Sequence, residues 1–334
     1  MISALLQQPL EGQAVQCRLC AHYCRIENGK TGICRVRLNR DGCLYSLNYD
    51  RVVTTHSDPI EKKPLYHFLP GTLSFSLAAM GCNFRCRFCQ NHAISQVDPS
   101  RGPLGEPIPP QDLVQAALDA GCRSIAYTYT EPTVFFELML ETAKLAHSRG
   151  LKNAMITNGY ISPDGLALIA PWMDAANVDL KAGSDDFYRE QCGGRLQPVL
   201  DTITAMHEAG IRLEVTTLLI PGMNTDEAQL DRVVAFLYDL DARIPWHVSR
   251  YHPQYHMHLP PTETRVVEAA LEKAREAGLR YLYAGNVGEA EWSNTRCPDC
   301  GVVLISRRGY SARAAGIENG RCRACGNEIT GVWK

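Results

Sequence analysis

The sequence predicts an α/β fold built on a mainly parallel sheet, and three observations carry that expectation. Between residues 72 and 290, short apolar runs of β-like composition alternate with amphipathic helical stretches. Repeated units of this kind place helices over a parallel sheet. Eleven of the fourteen cysteines fall in three groups, two of which lie outside that alternation, near the chain ends. Hydrophobic residues make up 45% and charged residues 21%, a balance that packs a core and leaves little room for extensive disorder.

The apolar runs are Leu73 to Met80, Ser124 to Tyr129, Asn153 to Thr157, Ala176 to Leu180, Arg212 to Leu219 and Trp246 to Arg250, with a further one at Arg280 to Ala284. Helical spacing of apolar residues appears near 110–120, 131–149, 163–171, 195–209, 226–240 and 263–277. Six or seven such units can curl into a partial or full barrel, and an open doubly wound sheet fits the same pattern. Three units follow: a Cys-rich N-terminal metal-binding module over 1–60, a core over 72–290, and a C-terminal module over 295–334.

At 334 residues the chain is long enough for one large core with small appendages. A net charge of −2 argues against a general nucleic-acid surface, which needs a basic field. The opening MISALLQQPLEG has no basic leader, and nowhere do eighteen apolar residues run together. A cytoplasmic protein without a membrane segment is expected, and in a reducing compartment clustered cysteines mean metal or redox chemistry before disulfides. Cys43, Cys122 and Cys192 stand apart and read as small buried hydrophobes.

The central group lies in Met80-Gly81-Cys82-Asn83-Phe84-Arg85-Cys86-Arg87-Phe88-Cys89-Gln90-Asn91, directly after the first run, hence on a loop at the C-terminal end of a strand. Ligand sites gather at that edge in barrels and open sheets. Three thiolates at spacings of three and two residues can hold three corners of an iron-sulfur cubane and leave the fourth iron open.

C-x3-C-x2-C with an aromatic just before the last cysteine resembles the signature of the radical S-adenosylmethionine (radical SAM) superfamily. The resemblance implies a 4Fe-4S cluster on Cys82, Cys86 and Cys89 whose open iron takes the amino and carboxylate groups of S-adenosyl-L-methionine (SAM). It also suggests roles for later strand ends. Tyr127-Thr128-Tyr129-Thr130-Glu131-Pro132 is similar to the family's Gly-Gly-Glu-Pro stretch, with Tyr129 and Thr130 where the glycines would stand and Glu131 accepting from the SAM amino group. Thr157-Asn158-Gly159 and Asp179-Leu180-Lys181 resemble segments of glycyl-radical activating enzymes such as pyruvate formate-lyase activating enzyme. Thr157, Asn158, Asp179 and Lys181 would then face cofactor or substrate, although a strand-to-helix turn and an ordinary ion pair explain them equally well. The Leu219-Ile220-Pro221-Gly222-Met223-Asn224 turn would approach the adenine, and His252 would reach nucleoside or substrate.

Cys297-x2-Cys300 and Cys322-x2-Cys325 suit a tetrahedral zinc ribbon of structural role, because four thiolates close the coordination sphere; a rubredoxin-like iron uses the same ligands. The ribbon's Arg296, Arg307, Arg308, Arg313, Arg321 and Arg323 read as a solvated surface, with a docking face as the other reading. Cys17-x2-Cys20-x3-Cys24 and Cys34 suit zinc, the favoured ion, or an auxiliary iron-sulfur cluster.

Taken over nearly the whole chain, these motifs resemble the AmmeMemoRadiSam-system radical SAM enzymes, relatives of pyruvate formate-lyase activating enzyme. That resemblance implies a partial (β/α)6 TIM-like radical SAM barrel between the Cys-rich N-terminal module and a zinc-ribbon-like C-terminal one. It further implies reduction by a flavodoxin or ferredoxin, SAM cleavage to a 5'-deoxyadenosyl radical, and hydrogen abstraction from a protein, peptide or small molecule. Memo-like or Amme-like proteins would be partners. An RNA- or cofactor-modifying radical SAM enzyme and a non-enzymatic iron-sulfur or zinc scaffold are the competing readings.

Overall fold

A computed structural model describes residues 2–98, 104–287 and 291–334. The outer limits expected for two of the units, at 1 and 290, lie outside the described residues. Seven parallel strands form the centre: β1 (Leu73–Ala79), β2 (Ser124–Tyr127), β3 (Lys152–Thr157), β4 (Ala175–Asp179), β5 (Arg212–Leu219), β6 (Trp246–Arg250) and β7 (Leu282–Gly285). Six helices connect them in turn: α1 (Pro110–Asp119), α2 (Phe136–Ser148), α3 (Pro163–Ile169), α4 (Leu196–Glu208), α5 (Glu227–Asp241) and α6 (Thr264–Glu276).

Each strand pairs with its successor in sequence, so the sheet runs β1 to β7 without reversal. Crossovers between parallel strands are right-handed, so an unbroken march in one direction sets every helix on the same face. That excludes the doubly wound alternative and leaves an open, singly wound sheet of barrel type. The apolar runs were continuous for a physical reason, since strands covered on both faces carry few polar positions; Leu77, Ala126, Met155 and Val215 are all fully buried.

Two features differ from the expected units. Arg51–Pro59, placed by sequence within the N-terminal module, pairs antiparallel with β1 and extends the central sheet. The short strand Glu106–Pro107 then pairs with it, completing nine strands. The remainder of the N-terminal module is two small three-stranded sheets whose Val15, Leu19, Ile26 and Leu44 share the main apolar core. Buried Arg37 ties it to α2 through Glu137, at 2.7 Å.

At the opposite end, where the parallel strands begin, polar groups fill the centre. Glu214 on β5 accepts from the backbone N–H groups of Tyr66 and His67 and pairs with His247 Nε2 on β6, at 2.6 Å. The C-terminal module packs beneath. Its Arg307 donates to Tyr66 O and Thr295 Oγ1, lies over the Tyr66 ring and approaches Glu61 at 3.8 Å. Arg307 is therefore buried, contrary to its expected place on a solvated basic face. A guanidinium is tolerated inside when a carboxylate lies close and most of its donors find acceptors; here Nη1 and Nη2 are paired, while Nε has only Glu61 at 3.8 Å. No helix among the described residues is long and apolar enough to cross a membrane.

Two outcomes follow from this base. Removing Arg307 leaves Glu61 as an uncompensated buried charge, so Arg307→Ala should cost about 3–5 kcal/mol in denaturant unfolding, whereas exposed Arg321→Ala should stay within about 0.5 kcal/mol. His67 is held neutral: burial pushes it down to about 4. Between pH 6.5 and 4 the unfolded chain therefore binds a proton that the folded one does not. Stability should be full above pH 6.5 and fall by about 3 kcal/mol by pH 4. A His67→Phe variant, although weaker overall, should show a flatter slope across that window in urea unfolding at stepped pH.

Candidate functional site

The cleft opens at the C-terminal edge of the parallel sheet. Its walls include Cys82, Cys86 and Cys89, the segment Thr128 to Glu131 after β2, Thr157 and Asn158 at the end of β3, and Asp179 and Lys181 at the end of β4. Thr216 and Leu218 of β5 and Ser249 of β6 complete the floor. Glu214, Thr216 and Leu218 are alternate residues of one strand, so a single face of β5 runs from the polar base up to the cleft.

The cysteine loop is fixed by backbone. Gly81 adopts φ 101°, and a Cβ there would meet Val36 Cγ1 at 2.8 Å and Cys34 O at 3.2 Å, so only glycine lets the loop lie against the N-terminal module. Arg85 N and Arg87 N donate to the carbonyls of Cys192 and Gln191, which belong to a single π-helical turn over Tyr188–Cys192. The Phe84 ring rests where a side chain on Gly194 would be, 2.4 Å from an added Cβ.

Donors converge on the thiols. Phe84 N reaches Cys82 Sγ at 3.3 Å, Ser95 Oγ lies 3.2 Å from Cys89 Sγ, and Asn158 Nδ2 stands 3.8 Å from Cys82 Sγ. Groups of this kind hold and tune sulfur ligands. Among the described residues, the three central thiols do not all lie within 4.8 Å of one another as the four C-terminal ones do. Three thiols spread around a cleft wall, with sulfur-directed donors, fit three corners of a cubane. Cys192 is fully buried, as expected, whereas Cys43 is exposed.

Glu131 is the most heavily committed acid in the cleft. Its Oε1 accepts from Thr133 N, Thr133 Oγ1 and Thr157 Oγ1 at 3.0, 2.6 and 2.8 Å, and its Oε2 accepts from Asn158 N at 2.8 Å. Burial pushes its carboxyl up, against the pull of those donors. Oε2, with one protein donor, retains acceptor capacity. Asn158 in turn donates to Asn83 Oδ1 at 2.7 Å, joining this network to the cysteine loop.

Thr130 donates its hydroxyl proton to Ala79 O at 2.6 Å, so it serves the backbone and has only acceptor capacity left. Tyr129 stands in the left-handed region at φ 64°, the conformation that glycine supplies freely. Its carbonyl accepts from Asn91 Nδ2, and its hydroxyl bonds Asp58, which also accepts from Lys62 and Lys63. These contacts offset a backbone strain on the order of 1–2 kcal/mol. Lys62 and Lys63 line the cleft too, and sequence reasoning missed both. Nothing in their local pattern separates them from surface lysines.

Asp179 and Lys181 do form an ion pair, at 3.0 Å, and they form it in the cleft wall. His252 is exposed and is not among the lining residues. The Ile220–Asn224 turn is likewise not a wall. Asn224 spends its amide on the carbonyls of Lys181 and Leu218 and on Ile220 N, a clip that shapes the turn.

Cys297, Cys300, Cys322 and Cys325 lie at the far end of the molecule with all four sulfurs within 4.8 Å. The Cys297–Cys325 and Cys300–Cys322 separations are 3.6 and 3.7 Å. Four thiolates at ~2.3 Å from one tetrahedral ion sit about 3.8 Å apart, so a single zinc or iron fits.

The family model described as the Radical SAM superfamily matches residues 78–237. The chain is 42% identical over 333 residues to the uncharacterized protein MJ0808 of Methanocaldococcus jannaschii, covering 98% of this chain and 99% of that protein. It is 27% identical over 220 residues to that organism's putative glycyl-radical enzyme activating enzyme MJ1632, covering 62% and 77% respectively. Streptococcus suis SuiB bound to S-adenosylmethionine superposes with a TM-score of 0.52 at 16% identity, over 69% of this chain and 53% of that one, which shows the fold alone. Fold, cysteine loop and relatives agree: the chain belongs to the radical SAM superfamily and is homologous to glycyl-radical activating enzymes.

Proposed function

We propose that this protein cleaves SAM reductively at a 4Fe-4S cluster held by Cys82, Cys86 and Cys89, and uses the resulting radical to take hydrogen from a protein, peptide or small molecule. The observation that carries the reading is the cleft itself: three thiols, the Glu131 network and a polar floor face one space at the edge where this fold gathers its ligands. When bound, the cluster supplies one electron to SAM, whose C5'–S bond breaks to give methionine and a 5'-deoxyadenosyl radical. Everything else is the work of side chains.

In this reading Glu131 Oε2 accepts from the SAM amino group, and Thr157 and Asn158 hold that carboxylate in position rather than touching SAM directly. Lys181 and Asp179 present a paired charge to the wall, suited to polar groups of the nucleoside or substrate. Lys62, Lys63 and Tyr129 form the wall around Asp58. Holding the reactants behind protein side chains, away from water, protects a radical from side reactions. Thr130, with its proton spent on Ala79, acts by shaping the loop.

The motif set further supports membership of the AmmeMemoRadiSam group, with a flavodoxin or ferredoxin as reductant and a Memo-like or Amme-like protein as partner. Homology to activating enzymes favours a protein substrate. The RNA-modifying alternative loses part of its support, because Arg307 is an internal anchor rather than a surface charge.

Anaerobic reconstitution with iron and sulfide, reduction with dithionite and chromatography for 5'-deoxyadenosine test the central reading. Product should form with the wild-type chain and vanish with Cys82, Cys86 and Cys89 all changed to Ala; a reduced, cluster-loaded wild type that leaves SAM intact would reject it. Glu131→Gln, with its cluster absorbance retained, should bind SAM about 10- to 100-fold more weakly, the worth of one hydrogen bond to a charged group. Unchanged affinity in calorimetry would remove Glu131 from the SAM contacts.

A further inference from the structure

The four N-terminal cysteines take no part in the cleft, yet they converge. Cys17, Cys20, Cys24 and Cys34 line one small cavity between the N-terminal module and the loops that follow β1 and β2. Four thiolates drawn onto one zinc at ~2.3 Å would stand about 3.8 Å apart and leave no interior. The C-terminal cysteines have that spacing; among the described residues no three of the N-terminal ones come within 4.8 Å of one another. The N-terminal cavity instead admits a water-sized sphere. Its thiols thus line a small interior and do not close on one point as those of the single-ion site do.

A second observation concerns the cavity's polar lining. Arg37 and Asn83 both border it and are 1% and 0% exposed. Arg37 Nε and Asn83 Nδ2 are buried donors without a partner. An orphaned donor costs about 1–3 kcal/mol, more when charged, so an acceptor held in the cavity that these two residues line would relieve both. Inorganic sulfide and thiolate sulfur in a negatively charged cluster are acceptors of that kind.

We propose that Cys17, Cys20, Cys24 and Cys34 hold a second 4Fe-4S cluster rather than zinc. With four thiolates its irons are all capped, so it takes up and releases single electrons and binds no substrate. It sits beside the central site: Asn83 follows Cys82 in the chain, its carbonyl is 2.8 Å from His22 Nε2, and the Cys34 carbonyl abuts Gly81. The proposal does not depend on SAM cleavage.

Metal and sulfide analysis of the full chain, prepared anaerobically, tests it directly. The wild type should carry about eight iron atoms, about eight sulfides and about one zinc. Changing Cys82, Cys86 and Cys89 to Ala should leave about four iron atoms and a paramagnetic resonance signal after dithionite; adding Cys17→Ala and Cys24→Ala should abolish both. A wild type with about four iron atoms and about two zincs, its iron lost with the central cysteines, would overturn the proposal while sparing the central cluster. About four iron atoms that survive the central change and vanish with the N-terminal one would do the reverse. Wild-type stoichiometry decides the matter even where a variant fails to fold.

Discussion

One buried carboxylate organises the site. Glu131 accepts four hydrogen bonds from the loops after β2 and β3, and through Asn158 and Asn83 the network extends to the loop after β1. Three chain segments far apart in sequence are thereby locked at one edge of the sheet. A carboxylate can serve as such a hub because it is acceptor-only and takes several donors at once, which also repays its burial. An apolar residue there would leave two threonine hydroxyls and two backbone N–H groups to find other partners. The cysteine loop would then lose the neighbour that fixes Asn83.

The same logic governs the other end of the barrel. Glu214 collects two backbone N–H groups and His247, while Arg307 from the C-terminal module reaches in toward Tyr66, Thr295 and Glu61. The two polar hubs are joined by β5, whose alternate residues run from Glu214 to the cleft floor. An open sheet with its helices on one face needs both mouths of its interior closed. The C-terminal module closes one mouth, and the N-terminal module backs the loops at the other.

How much of this was legible in the sequence follows from what each feature depends on. The seven parallel strands and six helices were readable because burial on both faces leaves continuous apolar runs, and helices announce themselves by spacing. The cysteine loop was readable because its three thiols fall at short spacings in one stretch of chain directly after an apolar run. Arg51–Pro59 was missed because its Val-Val-Thr-Thr stretch is bounded by charge and half-exposed, as a strand near a sheet edge permits. Arg307 and Lys63 were missed for a different reason. Their burial depends on partners such as Tyr66 and Asp58, and no local pattern encodes a contact made across the fold.

Tyr129 shows how a departure from a motif can leave the geometry intact. Where the related motif has glycine, this chain holds a tyrosine in the left-handed conformation and secures it with Asn91 at its carbonyl and Asp58 at its hydroxyl. The left-handed φ is one that glycine adopts freely, and with Tyr129 held in it Glu131 faces the cleft. Beside it stand a phenol, a carboxylate and two lysines. The wall on the Tyr129 side is thus made of Tyr129, Lys62 and Lys63 gathered on Asp58, and their side chains meet one another rather than the loop that carries the cysteines.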